Sequence, residues 1–275
     1  MKMLSGKHLA IAILFALSTS LTSGQTTNFT ATYSGQGAGS TTCNTSFSIT
    51  GQEPAAAGTY PVFVYMVGTT ETFNNNGAAS AAVSGMASRG FVAASIQYDS
   101  GQFGNCSQIS GKAKCIFDPS SSASAIAQLC SRAKADCNKG VLVGGFSQGA
   151  VMATLARNFD ARVQAAWGMG DGVTYSVFNL NACMANGSRN LPSDRLRAVD
   201  GQADQFIGPQ VTQVRNQLQT LTGENCGTSA SSPISTSGRS RSCARKRSCC
   251  RSSRANRSSS RAPSPTRSIW CAAAS

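Results

Sequence analysis

Apolar runs of strand length alternate along the chain with Ala-rich or amphipathic stretches of helix length. Pro61-Val-Phe-Val-Tyr-Met-Val67 is β-branched and aromatic and stops at Gly68, and Phe91-Val-Ala-Ala-Ser-Ile-Gln-Tyr98 repeats the pattern. Val141–Val143, Val163–Trp167 and Leu196–Val199 add three shorter runs. Without alternation of polar positions, such runs read as strands buried on both faces. Between them, Ala78–Arg89 is Ala-rich and stopped by Gly90, and Ser120–Lys134 follows the start signal Asp118-Pro119-Ser120. Val151–Arg157 and Val211–Leu221 complete the predicted helices, while the Cys-bearing stretch between Tyr98 and Asp118 reads as a loop. Gln25–Gly58, with alternating Thr, Ser, Phe and Tyr, reads as antiparallel edge strands. Buried strands alternating with helices predict a mostly parallel sheet covered on both faces, an α/β three-layer sandwich.

The first 24 residues do not belong to that pattern. Lys2 and Lys7 precede the apolar run Leu9–Leu17, and small residues follow through Gly24. This is the form of a secretory signal peptide, and the run is too short to span a bilayer. Export changes the reading of the 11 cysteines, which then point to disulfides rather than to metal or redox chemistry. Four lie beyond residue 238, leaving an odd seven. Cys106 with Cys115, Cys130 with Cys137 and Cys183 with Cys226 make one possible pairing that leaves Cys43 single, though spacing alone does not fix connectivity.

The formal charge of +13 is concentrated at the C-terminus. Nine Arg and one Lys lie beyond Gly238, and the last carboxylate is Glu224; between residues 25 and 237 there are 12 basic and 11 acidic residues. The body is therefore close to neutral, and the sequence pI of 9.6 says nothing about it.

Gly145-Phe146-Ser147-Gln148-Gly149 has the form Gly-x-Ser-x-Gly. In a chain with 27 glycines the bare pattern is weak, but here the serine directly follows a predicted strand and directly precedes a predicted helix. That context is what a nucleophile elbow needs: small neighbours permit a sharp turn that raises the hydroxyl above the strand ends. Strand order, elbow and a later acid resemble the α/β-hydrolase superfamily over about Thr59–Leu221. Gly144–Ala150, together with Gly68-Thr69-Thr70-Glu71, is similar to secreted esterases of the cutinase type. The acid departs from that subgroup, whose acid stands in a short Asp-x-x-Cys setting, whereas Asp204 is followed by Gln205-Phe206-Ile207.

The resemblance implies acyl transfer without a cofactor or metal, on an ester substrate that includes bulky or polymeric esters. Ser147 is the implied nucleophile, with the Gln148 amide and Thr69 as oxyanion donors. The acid should follow a later strand: Asp204 is preferred, Asp171 competes, and Asp200 stands too close to its strand. Fewer than 30 residues separate Trp167 from Leu196, so no large cap domain is expected. The triad base is missing, since the single histidine, His8, precedes the nucleophile and would leave with the leader.

From Ser229 to Ser275 there are 16 Ser, 9 Arg and 4 Cys in 47 residues, with no acid, His, Tyr or Phe. Either this is a basic, disordered segment for anionic surfaces or RNA, or it is an out-of-frame product, beginning where a final strand and the catalytic histidine are expected. The compartment favours the second, so nucleic acid is not an expected partner. The organisation expected is a leader (1–24), a catalytic domain (25–228) whose final strand is missing, and an unrelated tail (229–275). The product would be a secreted monomer without a membrane span.

Overall fold

The structure, a computed structural model, describes residues 24–74, 76–175, 178–185, 189–202, 204–223, 226–230 and 267–271. In chain order its elements are β1 (Thr26–Gln36), β2 (Cys43–Pro54), β3 (Val62–Met66), α1 (Gly77–Ala87), β4 (Val92–Ile96), α2 (Cys106–Phe117), α3 (Ala125–Cys130), β5 (Val141–Phe146) and α4 (Gln148–Leu155). There follow β6 (Val163–Met169), β7 (Thr174–Tyr175), β8 (Phe178–Asn179), α5 (Leu180–Ala185), β9 (Leu196–Gly201), α6 (Val211–Thr222), β10 (Cys226–Ala230) and β11 (Arg267–Cys271).

Nine strands form one sheet in the order β1-β2-β4-β3-β5-β6-β9-β11-β10. From β4 to β9 every pairing is parallel, whereas β1, β2 and β4 pair antiparallel as predicted for Gln25–Gly58. Each residue of β3 and β4 is buried, which is why these runs carry no polar alternation. Helix α1 packs on β3 and β4, α4 on β5 and β6, and α6 on β9. The observed fold is the α/β three-layer sandwich that the pattern predicts.

Four expectations are corrected. The stretch read as a Cys-bearing loop contains α2. Asn105 caps it through a capping box with Gln108, and Ile109, Lys112, Ala113, Ile116 and Phe117 form its buried face. A lysine in that stripe and Gly111 within the helix obscure the 3.6-residue period. The helix predicted for Ser120–Lys134 shrinks to α3, capped by Ser124, because Asp118 folds back onto Ser120 in a turn.

The disulfides also differ. Cys130–Cys137 is present as expected, but Cys43 pairs with Cys115 and Cys106 with Cys183. Cys106 and Cys115 are nine residues apart on one helix, roughly 13 Å along its axis, far beyond disulfide reach. The Cys226 side chain lies outside the described residues. Finally, the sheet does not stop at β9: β11 pairs antiparallel with its outer edge, and β10 pairs with β11. The leader, including His8, and most of the basic tail lie outside the described residues. Among the described residues, no helix is long and apolar enough to cross a membrane.

Candidate active site

Strand β5 delivers Ser147 to a turn with φ 50° and ψ −116°, a conformation rarely adopted by a residue bearing a Cβ. Such strain persists only where surrounding structure over-determines it. Here the Ser147 N–H donates to the Met169 carbonyl at the end of β6 (2.8 Å), and its own carbonyl accepts from Ala150 (2.9 Å) and Val151 (3.1 Å). Two glycines make the turn possible. A Cβ on Gly145 would stand 2.8 Å from the Ala150 nitrogen, and one on Gly149 would meet the Met66 and Val67 carbonyl groups. The strand-turn-helix context predicted for the motif is therefore present in detail.

Helix α4 begins at Gln148, so the first amides of the helix face the elbow without intrahelical acceptors. The fully buried Gln148 side chain reaches back across the site: Nε2 donates to the Gln102 carbonyl (2.7 Å) and lies 3.4 Å from Thr69 Oγ1. Thr69 stands in the turn Gly68–Glu71 after β3, closed by Glu71 N–H to Gly68 carbonyl (3.2 Å) and by Gly68 N–H to the Glu71 carboxylate (2.6 Å). Thr70, the third residue of this turn, takes a positive φ (63°), a conformation uncommon for a residue bearing a Cβ. The structure thus brings Ser147, Gln148 and Thr69 together, assigns Glu71 of the Gly68–Glu71 motif the role of closing the turn, and adds Gln102, which carries no sequence signal.

Asp204 lies in the loop after β9, two strands along from β5 and, the strands being parallel, at the same end of the sheet as Ser147. Partly exposed, it accepts at Oδ1 from the amides of Phe206 (2.9 Å) and Ile207 (3.2 Å). Asp171 is different. It is fully buried, with Oδ2 accepting from Thr154 of α4 (3.2 Å) and Oδ1 from the Gly172 amide (2.9 Å). Burial pushes its carboxyl up to about 7, and both oxygens are engaged within the fold.

Asp200, near the end of β9, accepts the Asp171 amide at Oδ1 (2.7 Å), and among the described residues its buried Oδ2 has no hydrogen-bond partner. Burial and then the neighbouring Asp171 charge push it up to about 8. The Tyr175 hydroxyl bridges Gly170 and Gly172 beside this pair. Among the described residues, no group of three or more His, Cys, Asp or Glu is arranged to hold a metal ion.

Two aromatic side chains remain exposed beside these residues. Phe146, 37% exposed, precedes the nucleophile with its ring against Gly68 and Gly170. Phe206, 74% exposed, follows the Asp204 turn.

No family model matches the sequence, and no curated protein matches it either. Solved structures similar to this chain include brefeldin A esterase, described as a bacterial homologue of human hormone-sensitive lipase (16% identity, 61% of this chain and 45% of that one, TM-score 0.42). An acetyl xylan esterase from Paenibacillus sp. R4 is 18% identical over 55% of this chain and 50% of that one, with TM-score 0.38. A putative dienelactone hydrolase from Klebsiella pneumoniae subsp. pneumoniae MGH 78578 is 14% identical over 71% of this chain and 82% of that one, with TM-score 0.41. The matched region spans about half the length of the two esterases. At these TM-scores the functional reading rests on this chain's own residues.

Proposed function

We propose that the protein is a secreted serine hydrolase of carboxylic esters in which Ser147 forms the acyl-enzyme. The observation that supports this most is the strained Ser147 elbow, held between two glycines that tolerate no side chain. The Ser147 oxygen attacks the ester carbonyl carbon, and the alcohol leaves with a proton. The oxyanion accepts from the Gln148 amide and from Thr69, donors fixed in place before charge develops. Water then releases the acid. Asp204 is assigned as the triad acid, since Asp171 is buried with both oxygens occupied. The base it would orient is not supplied by the chain, whose one histidine is His8. Rate acceleration therefore comes from the oxyanion site and binding, roughly 10³ to 10⁴-fold over water in serine enzymes stripped of triad members.

The experiment is covalent labelling by a fluorophosphonate with the adduct mapped by mass, alongside p-nitrophenyl ester hydrolysis. Slow labelling at Ser147 and turnover that Ser147→Ala removes are expected. Absence of an adduct, with equal turnover in the variant, would reject the nucleophile assignment.

The exposed rings of Phe146 and Phe206 beside the site support bulky or polymeric apolar esters as the substrate class. Phe206→Ser is expected to lower kcat/KM for a long-chain p-nitrophenyl ester by about tenfold, the equivalent of about 1.4 kcal/mol of apolar contact, while sparing the acetate. Equal losses on both esters would remove the aromatic from the binding surface. The absence of a histidine after Ser147 favours one second reading, a non-catalytic binding protein on the same fold, for which no adduct would form.

A further inference from the structure

Behind the oxyanion turn lies a cation that the proposed chemistry leaves unused. Lys112 occupies the buried stripe of α2, where a leucine would fill the space without the several kcal/mol that burying an ammonium costs. Its Nζ donates to the Gln102 carbonyl (3.1 Å), stands 3.8 Å from Asp99 Oδ2, and lies 6.0 Å from the centre of the Tyr98 ring. All three partners belong to one segment, residues 98–102, which leaves the end of β4.

That segment is also what holds the oxyanion turn. The Tyr98 hydroxyl donates to the Val67 carbonyl (2.6 Å), the Thr70 amide to the Ser100 carbonyl (2.8 Å), and the Ser100 hydroxyl to the Glu71 carbonyl (3.2 Å). The Gln102 carbonyl, besides Lys112, accepts from Gln148 Nε2. This fixes the Gln148 amide, because a flip would set two oxygens against each other. The orientation is kept even though, among the described residues, the buried Gln148 Oε1 has no partner. With Gln148 as the donor to Thr69 Oγ1, the Thr69 hydroxyl keeps its own hydrogen for an oxyanion.

We propose that Lys112 is a positioning residue: it pins segment 98–102 and, through it, sets Thr69 and the Gln148 side chain for oxyanion binding. The inference rests on the esterase reading of Ser147, but its first consequence is structural and can be measured without turnover.

Amide hydrogen exchange at Thr70 and Ser147-dependent ester hydrolysis would be followed in Lys112→Met, Lys112→Arg and Asp99→Asn. Lys112→Met is expected to speed Thr70 exchange about tenfold and to lower kcat by a similar factor at unchanged KM. Asp99→Asn, at a partly exposed site that should not threaten folding, moves both in the same direction by about threefold, and Lys112→Arg restores most of the native behaviour. Unchanged Thr70 exchange in both Lys112→Met and Asp99→Asn overturns the proposal; if Lys112→Met does not fold, Asp99→Asn alone decides. Faster exchange in the variants, in a native chain with no Ser147-dependent turnover, supports the tie and rejects the esterase reading instead.

Discussion

Gly149→Ala is expected to destabilise the protein by about 3 kcal/mol or more, at the upper end of overpacking costs. The added methyl would stand 2.6 Å from both the Met66 carbonyl carbon and the Val67 carbonyl oxygen, and closer still to the Met66 oxygen. These are backbone atoms at the end of β3, a strand buried along its whole length between β4 and β5, so no side-chain rotation relieves the clash. Relief requires α4 to move off the sheet, which takes the Gln148 amide and the Ser147 oxygen with it. Thermal unfolding should show Tm lowered by about 6–12 °C, and fluorophosphonate labelling should be lost. Gly77→Ala is the control: nothing lies within 4 Å of a Cβ there, and no loss of stability is expected. A Gly149→Ala protein with native Tm and native labelling would mean that the elbow does not pack as described.

The second large effect is on pH dependence. Asp171 and Asp200 titrate in the folded state at about 7 and about 8, against an ordinary carboxyl value near ~4. Desolvation is the first cause for both, their mutual charge adds to it for Asp200, and Arg189 opposes it at Asp171. Folded-state values above unfolded ones mean that the native protein holds protons the unfolded chain has released. Stability therefore falls as pH rises from about 4 to about 8 and levels off above that window. A Tm decrease of about 10 °C or more between pH 5 and pH 8 is expected. Asp200→Asn mimics the protonated acid and keeps the acceptor used by the Asp171 amide. It should be nearly neutral at pH 5 and stabilising at pH 8. A pH slope equal to the native one in that variant would show that the pair is not its source.

Local chemistry made most of the scaffold legible. The runs Val62–Val67 and Phe91–Tyr98 are almost wholly buried, the pattern that a central strand covered on both faces presents. Ser147 was legible for a related reason: a strand, two bare glycines and a helix leave the chain few ways to turn, and each of them raises the hydroxyl. Helix α2 was not legible, because its central core position holds Lys112, whose burial becomes tolerable only once Asp99, Tyr98 and Gln102 gather around it. The N-cap pair Asn105 and Gln108 was a local signal that could have revealed it.

The sequence by itself determined the parallel sheet, the elbow and the near-neutral body, because those depend on residues close together in the chain. Tertiary structure decided which cysteines meet, since α2 carries Cys106 and Cys115 apart and toward different partners. It also decided which carboxyls are buried: Asp171, Asp200 and Asp204 look alike in sequence, and only the register of β6 against β9 seals the first two in the core and leaves the third at the surface. Separations of 29 to 79 residues join the Asp171–Asp200 and Thr69–Gln148 pairs, and contacts over such distances are set by the packing of the whole sheet rather than by any local preference.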